Sequence, residues 1–237
     1  MPTPVVVRHG RHRLTGFTLG GESWADAATR IGGGRTAHPV DLSGEVKEFT
    51  LDGWPAVSLR PMTPGDLRFL VRWLAQEHVQ RWYAVDGEPT PDRVQEHYRA
   101  DIAGETATSM WVVEVNGRSV GFCQDYRIGD YPDYALLAPD PDAIGVDYAI
   151  GEPAFVGRGI GTRMLWALVL KVRSRRPEAR ACFAAPDHRN AASLRVLAKV
   201  GFVAGTWFDE PQPDGSVSTV VGCTLDLVRA VGAPGDR

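Results

Sequence analysis

The chain lacks any apolar stretch near the ~20 residues that span a bilayer, and its N-terminus lacks a signal-like apolar segment. A cytoplasmic protein that crosses no membrane is the expectation. Cysteine is scarce: Cys123, Cys182 and Cys223 stand far apart, each inside a run that reads as a strand, with no Cys-x-x-Cys spacing. They read as small buried apolar residues, not as disulfide partners or nucleophiles. His9 and His12 have the spacing of a metal-binding turn but no third ligand candidate nearby, so no metal is expected. A basic aromatic stripe is also missing and the formal net charge is -3, which speaks against nucleic acid as a partner. There is no internal repeat and no low-complexity segment. What remains is 237 residues with 43% hydrophobic and 23% charged content, enough for one large domain, or one domain plus an appendage.

The most informative segment runs from Gly145-Val146-Asp147-Tyr148-Ala149-Ile150-Gly151-Glu152 to Gly157-Arg158-Gly159-Ile160-Gly161-Thr162. Its first half alternates as a strand does, and its second puts three glycines and a threonine where a helix should begin. Met164, Leu165, Leu168, Val169 and Val172 then recur at helical spacing. Glycines let the backbone approach an anion closely, and the unpaired N–H groups of a first helical turn supply donors, so a phosphate or pyrophosphate ligand is expected. Two common phosphate sites are excluded by missing residues. Gly161 is followed by Thr162-Arg163 without the lysine of a P-loop, and position 162 is not the glycine of a dinucleotide fingerprint.

Residues 1–53 carry glycine punctuation and only short apolar runs such as Val5-Val6-Val7, which predicts an extra strand, a hairpin or a wrap over the domain. A strand at Val57-Ser58-Leu59-Arg60 leads to the capped helical run Leu67, Leu70, Val71, Leu74, and a second helix runs from Thr90-Pro91 to Ile102. Met110 to Val115 and Ser119 to Tyr126 alternate around Asn116-Gly117, a strong hairpin signal. A strand at Ala181-Cys182-Phe183, a helix over Ala191 to Val200 and strands near Phe202 to Phe208 and Val217 to Asp226 complete a mixed α/β order. Charge is uneven: seven acids at 125, 130, 133, 140, 142, 147 and 152 face one base, Arg127, and seven bases between Arg158 and Arg180 face one acid, Glu178. The acidic half suits a cationic acceptor and the basic half a polyphosphate.

Arg158-Gly159-Ile160-Gly161-Thr162, then Asn190-Ala191-Ala192-Ser193 and Lys199-Val200-Gly201-Phe202, resembles the pattern of the GNAT acetyl-coenzyme A-dependent N-acetyltransferases. More narrowly, Gly145-Val146-Asp147-Tyr148, Ile150-Gly151-Glu152-Pro153, Val120-Gly121-Phe122-Cys123-Gln124-Asp125-Tyr126 and Trp82-Tyr83 ahead of Thr90 and Tyr98 look like the aminoglycoside 6′-N-acetyltransferase branch. The resemblance covers about residues 56–228. It implies an α/β (α+β) GNAT fold, a mixed central sheet splayed at the acetyl-CoA site with helices on both faces. The implied division is an extension at 1–53 of open role, an acetyltransferase domain at 54–230 and a tail at 231–237.

The same resemblance implies acetyl-CoA as cofactor, held along the strand by Tyr148, Ala149 and Ile150 and around the turn by Val156, Gly157, Arg158, Gly159, Ile160, Gly161 and Thr162. Asn190, a helix cap, and Ser193 would meet the pantetheine arm. Asp147 matches the general base of this branch, and aspartate within a strand is otherwise disfavoured. A backbone N–H near Ala149 or Ile150, where GNAT strands bulge and splay, would meet the oxyanion. Acceptor contacts fall to Trp82 and Tyr83, to Gln124, Asp125 and Tyr126, to Asp147, and to Asp209, Glu210 and Asp214. One position departs from the branch: the tyrosine that protonates the leaving thiolate is here Leu197, which leaves Tyr148 or departure as free thiolate. The implied reaction is acetyl transfer to a primary amine of a cationic small molecule, foremost the 6′-amine of an aminoglycoside, by a monomer or homodimer. The alternatives are acylation of N-hydroxylysine in siderophore assembly and a binding-only acyl-CoA module.

Overall fold

The structure is a computed structural model that describes residues 1–53, 55–83, 87–135, 138, 140–212 and 215–233, with no side-chain account of 133 and 134. Asp214 therefore lies outside the described residues. Two sheets carry the chain. The first is built from β1 (Pro4–His9), β2 (His12–Phe17), β3 (His38–Asp41) and β4 (Lys47–Thr50) in the order β2-β1-β4-β3, with α1 (Trp24–Ile31) against it. Its two halves join by the parallel pairing of β1 with β4, Val6 opposite Glu48 and Val7 opposite Phe49.

The second sheet contains β5 (Val57–Pro61), β6 (Ser109–Val115), β7 (Arg118–Arg127), β8 (Ile144–Ile150), β9 (Ala181–Ala184), β10 (Val203–Pro211) and β11 (Val217–Asp226) in the order β10-β11-β9-β8-β7-β6-β5. Between β5 and β6 lie α2 (Leu67–Leu74), α3 (Glu77–Gln80) and α4 (Pro91–Ala103), and α5 (Pro132–Ala135) follows β7. α6 (Ile160–Arg175) joins β8 to β9, α7 (Ala191–Val200) joins β9 to β10, and α8 (Leu227–Val231) follows β11. This is the splayed α/β fold expected from the sequence, with helices on both faces. Leu70, Trp73 and Leu74 of α2 and Val94 and Tyr98 of α4 pack on Val112 and Phe122 on one face. Met164, Leu165, Leu168 and Val172 of α6 pack on Val113, Cys123 and Val146 on the other.

Local chemistry fixes the boundaries. Asn116 and Gly117 turn the β6–β7 hairpin at φ 50 and 78, the two positive values that this tight turn needs. Asn190 accepts from Ser193 N at 3.0 Å to start α7, and Gly201 ends it at φ 101. All three cysteines are buried and free.

The first 53 residues neither add a strand to the large sheet nor form a lone hairpin. Their small sheet packs by β3 on α6 and α7 and by α1 on α8, and the Leu42 amide donates to the Lys199 carbonyl at 2.9 Å. Val5, Val7, Trp24 and Phe49 share one apolar core with Leu168, Val172 and Leu225, so extension and domain bury each other.

What positions the site is the behaviour of β8. It pairs with β7 along its whole length, from Ile144 opposite Arg127 to Ile150 opposite Gly121, but with β9 only at Ile144–Cys182 and Gly145–Phe183. From Val146 onward the two parallel strands part. The sequence led us to expect a bulge here, yet the β7–β8 register runs unbroken. The irregularity lies one strand away, where Val113 faces Gly121 and Glu114 faces Ser119, leaving Val120 as the extra residue.

Candidate active site

The fork opens onto a cleft of about 790 Å³, with Val146 to Ile150 on one wall and Ala184 to Pro186 on the other. Alternation along β8 sends neighbours to opposite sides. Ala149 packs with the α2–α4 core, whereas Val146, Tyr148 and Ile150 pack with the α6 core. Asp147 points with Ala149.

Asp147 is half-buried and lines the cleft. Its strand neighbour Gln124 donates from Nε2 to its Oδ2 at 2.9 Å, and the Tyr126 hydroxyl also hydrogen-bonds it. Burial pushes its carboxyl above the ordinary aspartate value, against the lowering effect of those two donors. Glu210, on β10, lines the same cleft, and its carboxyl is raised by burial and by the nearby Asp147 charge. Two carboxyls thus share one electrostatic neighbourhood.

The turn below has the form of an anion site. Gly157 and Gly159 adopt φ 74 and 72, values that a side chain resists. Gly159 caps α6 without a side-chain bond, among the described residues no side chain is seen to take the first-turn amides, and no acid stands in that turn. Gly157, Gly159, Gly161 and Thr162 line the cleft, as does Val156. Arg158 is exposed beside them, while the Ile160 side chain is in the core. Gly161 also permits close helix packing, since a Cβ there would meet Val196 Cγ2 at 3.0 Å. These residues fit a diphosphate with an extended amide-bearing arm, for which the unpaired edge of β8 after Gly145 offers backbone partners. The group so held would supply a thioester acyl carbon.

Gly159→Ala tests that cradle. A β-carbon at φ 72 costs the fold about 1–2 kcal/mol; the turn relaxes to escape that strain and moves its amides, so CoA binding by calorimetry weakens while the KM for the acceptor holds.

Other residues named from sequence fall less tidily. Trp82 and Tyr83 both line the cleft. Tyr83 is also held in place, edge-on to Phe122 at 5.1 Å and hydrogen-bonded to Tyr98, and the Arg81 guanidinium lies 4.8 Å from the Trp82 ring. Asp125 is not at the cleft. Strand alternation turns it to the opposite face from Gln124 and Tyr126, where it is 1% exposed and accepts from Trp111 Nε1 at 2.7 Å and Arg176 Nε at 3.0 Å. Asp209 is likewise turned away from Glu210 and accepts from Thr219 Oγ1 at 2.8 Å. Asn190 spends its side-chain oxygen on the α7 cap.

The acidic run does not form an acidic face. Glu152 pairs with Arg72 and Arg118 and accepts from Trp73 Nε1, and Asp130 and Asp142 both pair with Arg127. Of the run's described side chains, Asp147 alone lines the cleft. Residues that sequence reading passed over are there as well. The His78 Nε2–H donates to the Ile150 carbonyl at 2.8 Å, and Arg195 and Lys199 line the cleft one α7 turn apart. The i,i+4 spacing of that cationic pair on a capped helix was the signal that could have found it.

A parallel strand pair parting over a glycine turn that opens a helix, with a carboxyl on one of the parting strands, is the arrangement of an acyl-CoA transferase site. The chain belongs to the acetyltransferase (GNAT) domain family, whose model matches residues 63–209. It is an acetyl-CoA-dependent N-acetyltransferase. It is 29% identical over 176 residues to the aminoglycoside N(6′)-acetyltransferase type 1 of Klebsiella pneumoniae, covering 73% of this chain and 83% of that one. Against the lysine N-acyltransferase MbtK of Mycobacterium sp. (strain MCS) the identity is 30% over 166 residues, 68% and 66% of the two chains. The solved structure of the aminoglycoside acetyltransferase AAC(6′)-Ib with coenzyme A and kanamycin superposes with a TM-score of 0.62 at 27% identity, covering 72% of this chain and 95% of that one. Among the described residues no helix is long and apolar enough to cross a membrane.

Proposed function

We propose that the enzyme acetylates a primary amine of a cationic small molecule, the 6′-amine of an aminoglycoside. The observation that carries this reading is Asp147 on the cleft wall, fixed by Gln124 and Tyr126, with Glu210 lining the same cleft within reach of its charge. Asp147 receives the acceptor ammonium and takes its proton as the nitrogen attacks; burial makes it a stronger base than an ordinary aspartate. Glu210 holds a second ammonium by a charge-assisted hydrogen bond. Trp82 offers a ring face to a sugar. A backbone N–H of Ala149 or Ile150, freed by the parting of β8 from β9, meets the oxyanion. Similarity to aminoglycoside acetyltransferases over most of the chain supports the same acceptor. In this reading residues 54–230 form the catalytic domain together with Val231, which the sequence had placed in a tail but which ends α8 in the core, and residues 1–53 buttress α7.

A second reading is acylation of a lysine-type side-chain amine. Arg81, Arg195 and Lys199 line the cleft, and the cleft acid Asp187 is paired with Arg189, so the wall is less negative than a polycation favours. The similarity to a lysine N-acyltransferase points the same way. Thiol release from acetyl-CoA separates the two, measured with kanamycin-type aminoglycosides, N-hydroxylysine, polyamines and a lysine peptide. Turnover with aminoglycosides is the expected result, and turnover only with N-hydroxylysine overturns it.

A further inference from the structure

Tyr148 and Ser193 form a hydroxyl pair on the cofactor side of the fork. The Tyr148 Oη lies 2.8 Å from Ser193 Oγ, both residues line the cleft, and both are half-buried. Tyr148 belongs to the five-residue stretch where β8 has left β9, and it follows Asp147 directly, so the two side chains leave the strand on opposite sides. Ser193 is the sole hydroxyl on α7; its amide is tied to Asn190, which fixes where the side chain points. One turn on, Leu197 is 1% exposed and closes that route to a proton donor.

We infer that Tyr148 is a further catalytic residue, a hydrogen-bond donor to the sulfur that leaves when the acyl group moves to the amine, with Ser193 as its positioning residue. The inference rests on the acetyl-CoA-dependent activity and is independent of which amine accepts. As the new N–C bond forms, Asp147 takes the amine proton and passes it to water. The C–S bond breaks with its electron pair on sulfur, Tyr148 holds that charge through its O–H, and water later protonates the thiolate, so an amine and a thioester become an amide and a thiol. Tyr148 keeps its proton throughout. Burial pushes its phenol above the ordinary tyrosine value, far above a thiol near ~8.5, so it stabilises the thiolate as a donor and does not protonate it outright. Ser193 donates into the phenol oxygen, which strengthens the O–H as a donor.

The test uses the whole chain with CoA and desulfo-CoA and needs no acceptor for its main readout. The ionisation of bound CoA is followed by thiolate absorbance across pH in the native protein, Tyr148→Phe and Ser193→Ala. The bound thiol is expected to ionise at lower pH in the native protein than in Tyr148→Phe by about one pH unit, a tenfold shift in the ionisation constant. Ser193→Ala falls between. Affinity for desulfo-CoA is expected to be equal in all three. With any accepted amine, kcat falls about 100-fold in Tyr148→Phe at unchanged KM for acetyl-CoA. An identical thiol ionisation in native protein and Tyr148→Phe overturns the proposal, as does an equal loss of CoA and desulfo-CoA affinity, which marks a packing role. If Tyr148→Phe fails to fold, Ser193→Ala carries the same readout. No acetylation anywhere in the amine panel, with the ionisation shift intact, removes the acceptor reading and leaves this one standing.

Discussion

Asp147→Asn lowers acetyl transfer about 10²- to 10⁴-fold and at the same time raises the melting temperature at neutral pH. The two effects have one cause. The carboxyl is half-buried beside Gln124 and Tyr126, with Glu210 close enough for the two charges to oppose each other. Burial raises its proton affinity above that of the unfolded chain, so its contribution to stability is full below the unfolded pKa and is lost as pH rises through the folded one. As pH rises above the unfolded pKa that contribution is lost, so the buried acid lowers stability there, and the amide, which does not titrate, removes the penalty. Asparagine still accepts from Gln124 Nε2, so the wall keeps its shape. The acid limb of kcat/KM in the native enzyme lies above the ordinary aspartate value for the same reason. Initial rates across pH, with melting curves of both proteins, check all three statements. Unchanged turnover in Asp147→Asn removes this residue from the mechanism, and a lower melting temperature contradicts the sign of the burial effect.

Elements with local chemistry were legible before any coordinates. Thr90-Pro91, Asn190 and Gly201 mark helix ends by caps that act within a few residues, and Asn116-Gly117 fixes a hairpin without help from elsewhere. The small N-terminal sheet was not legible, because its central pairing is parallel and joins Val5–Arg8 to Lys47–Thr50 across some forty residues. The site divides the same way. Glycines at 157 and 159 announce their own backbone geometry, whereas Asp125 beside Gln124 is close in sequence and opposite in space. That error was avoidable, since the hairpin register already assigns alternate residues to opposite faces. The acidic run was not resolvable in this way, because the partners of Glu152, Arg72 and Arg118, come from distant elements.

The second large effect is expected at a residue that carries no side chain. Gly121 faces Ile150 across the β7–β8 ladder, beside the extra residue Val120, whose carbonyl accepts from both Gly151 N and Glu152 N at 2.9 Å. A Cβ on residue 121 would sit inside the contact distance of the Ala149 carbonyl and at 3.0 Å from Ile150 Cα, and both of these are backbone atoms that no rotamer change can move. In Gly121→Ala the end of β8 must shift away from β7, towards the cleft, carrying Ala149 and Ile150 with it. Overpacking of this kind costs about 1–3 kcal/mol of stability. The loss of rate is larger, because a displacement near 1 Å of groups that align a reaction lowers it about 100-fold. Gly205→Ala is the control on β10, where the added carbon meets only the Gly222 carbonyl at 3.5 Å, and its stability should stay within about 0.5 kcal/mol of the parent. Melting curves and kcat for the two variants separate a fold that is merely weakened from a site that is misaligned: full turnover in folded Gly121→Ala would mean that the β7–β8 spacing does not align the reacting groups.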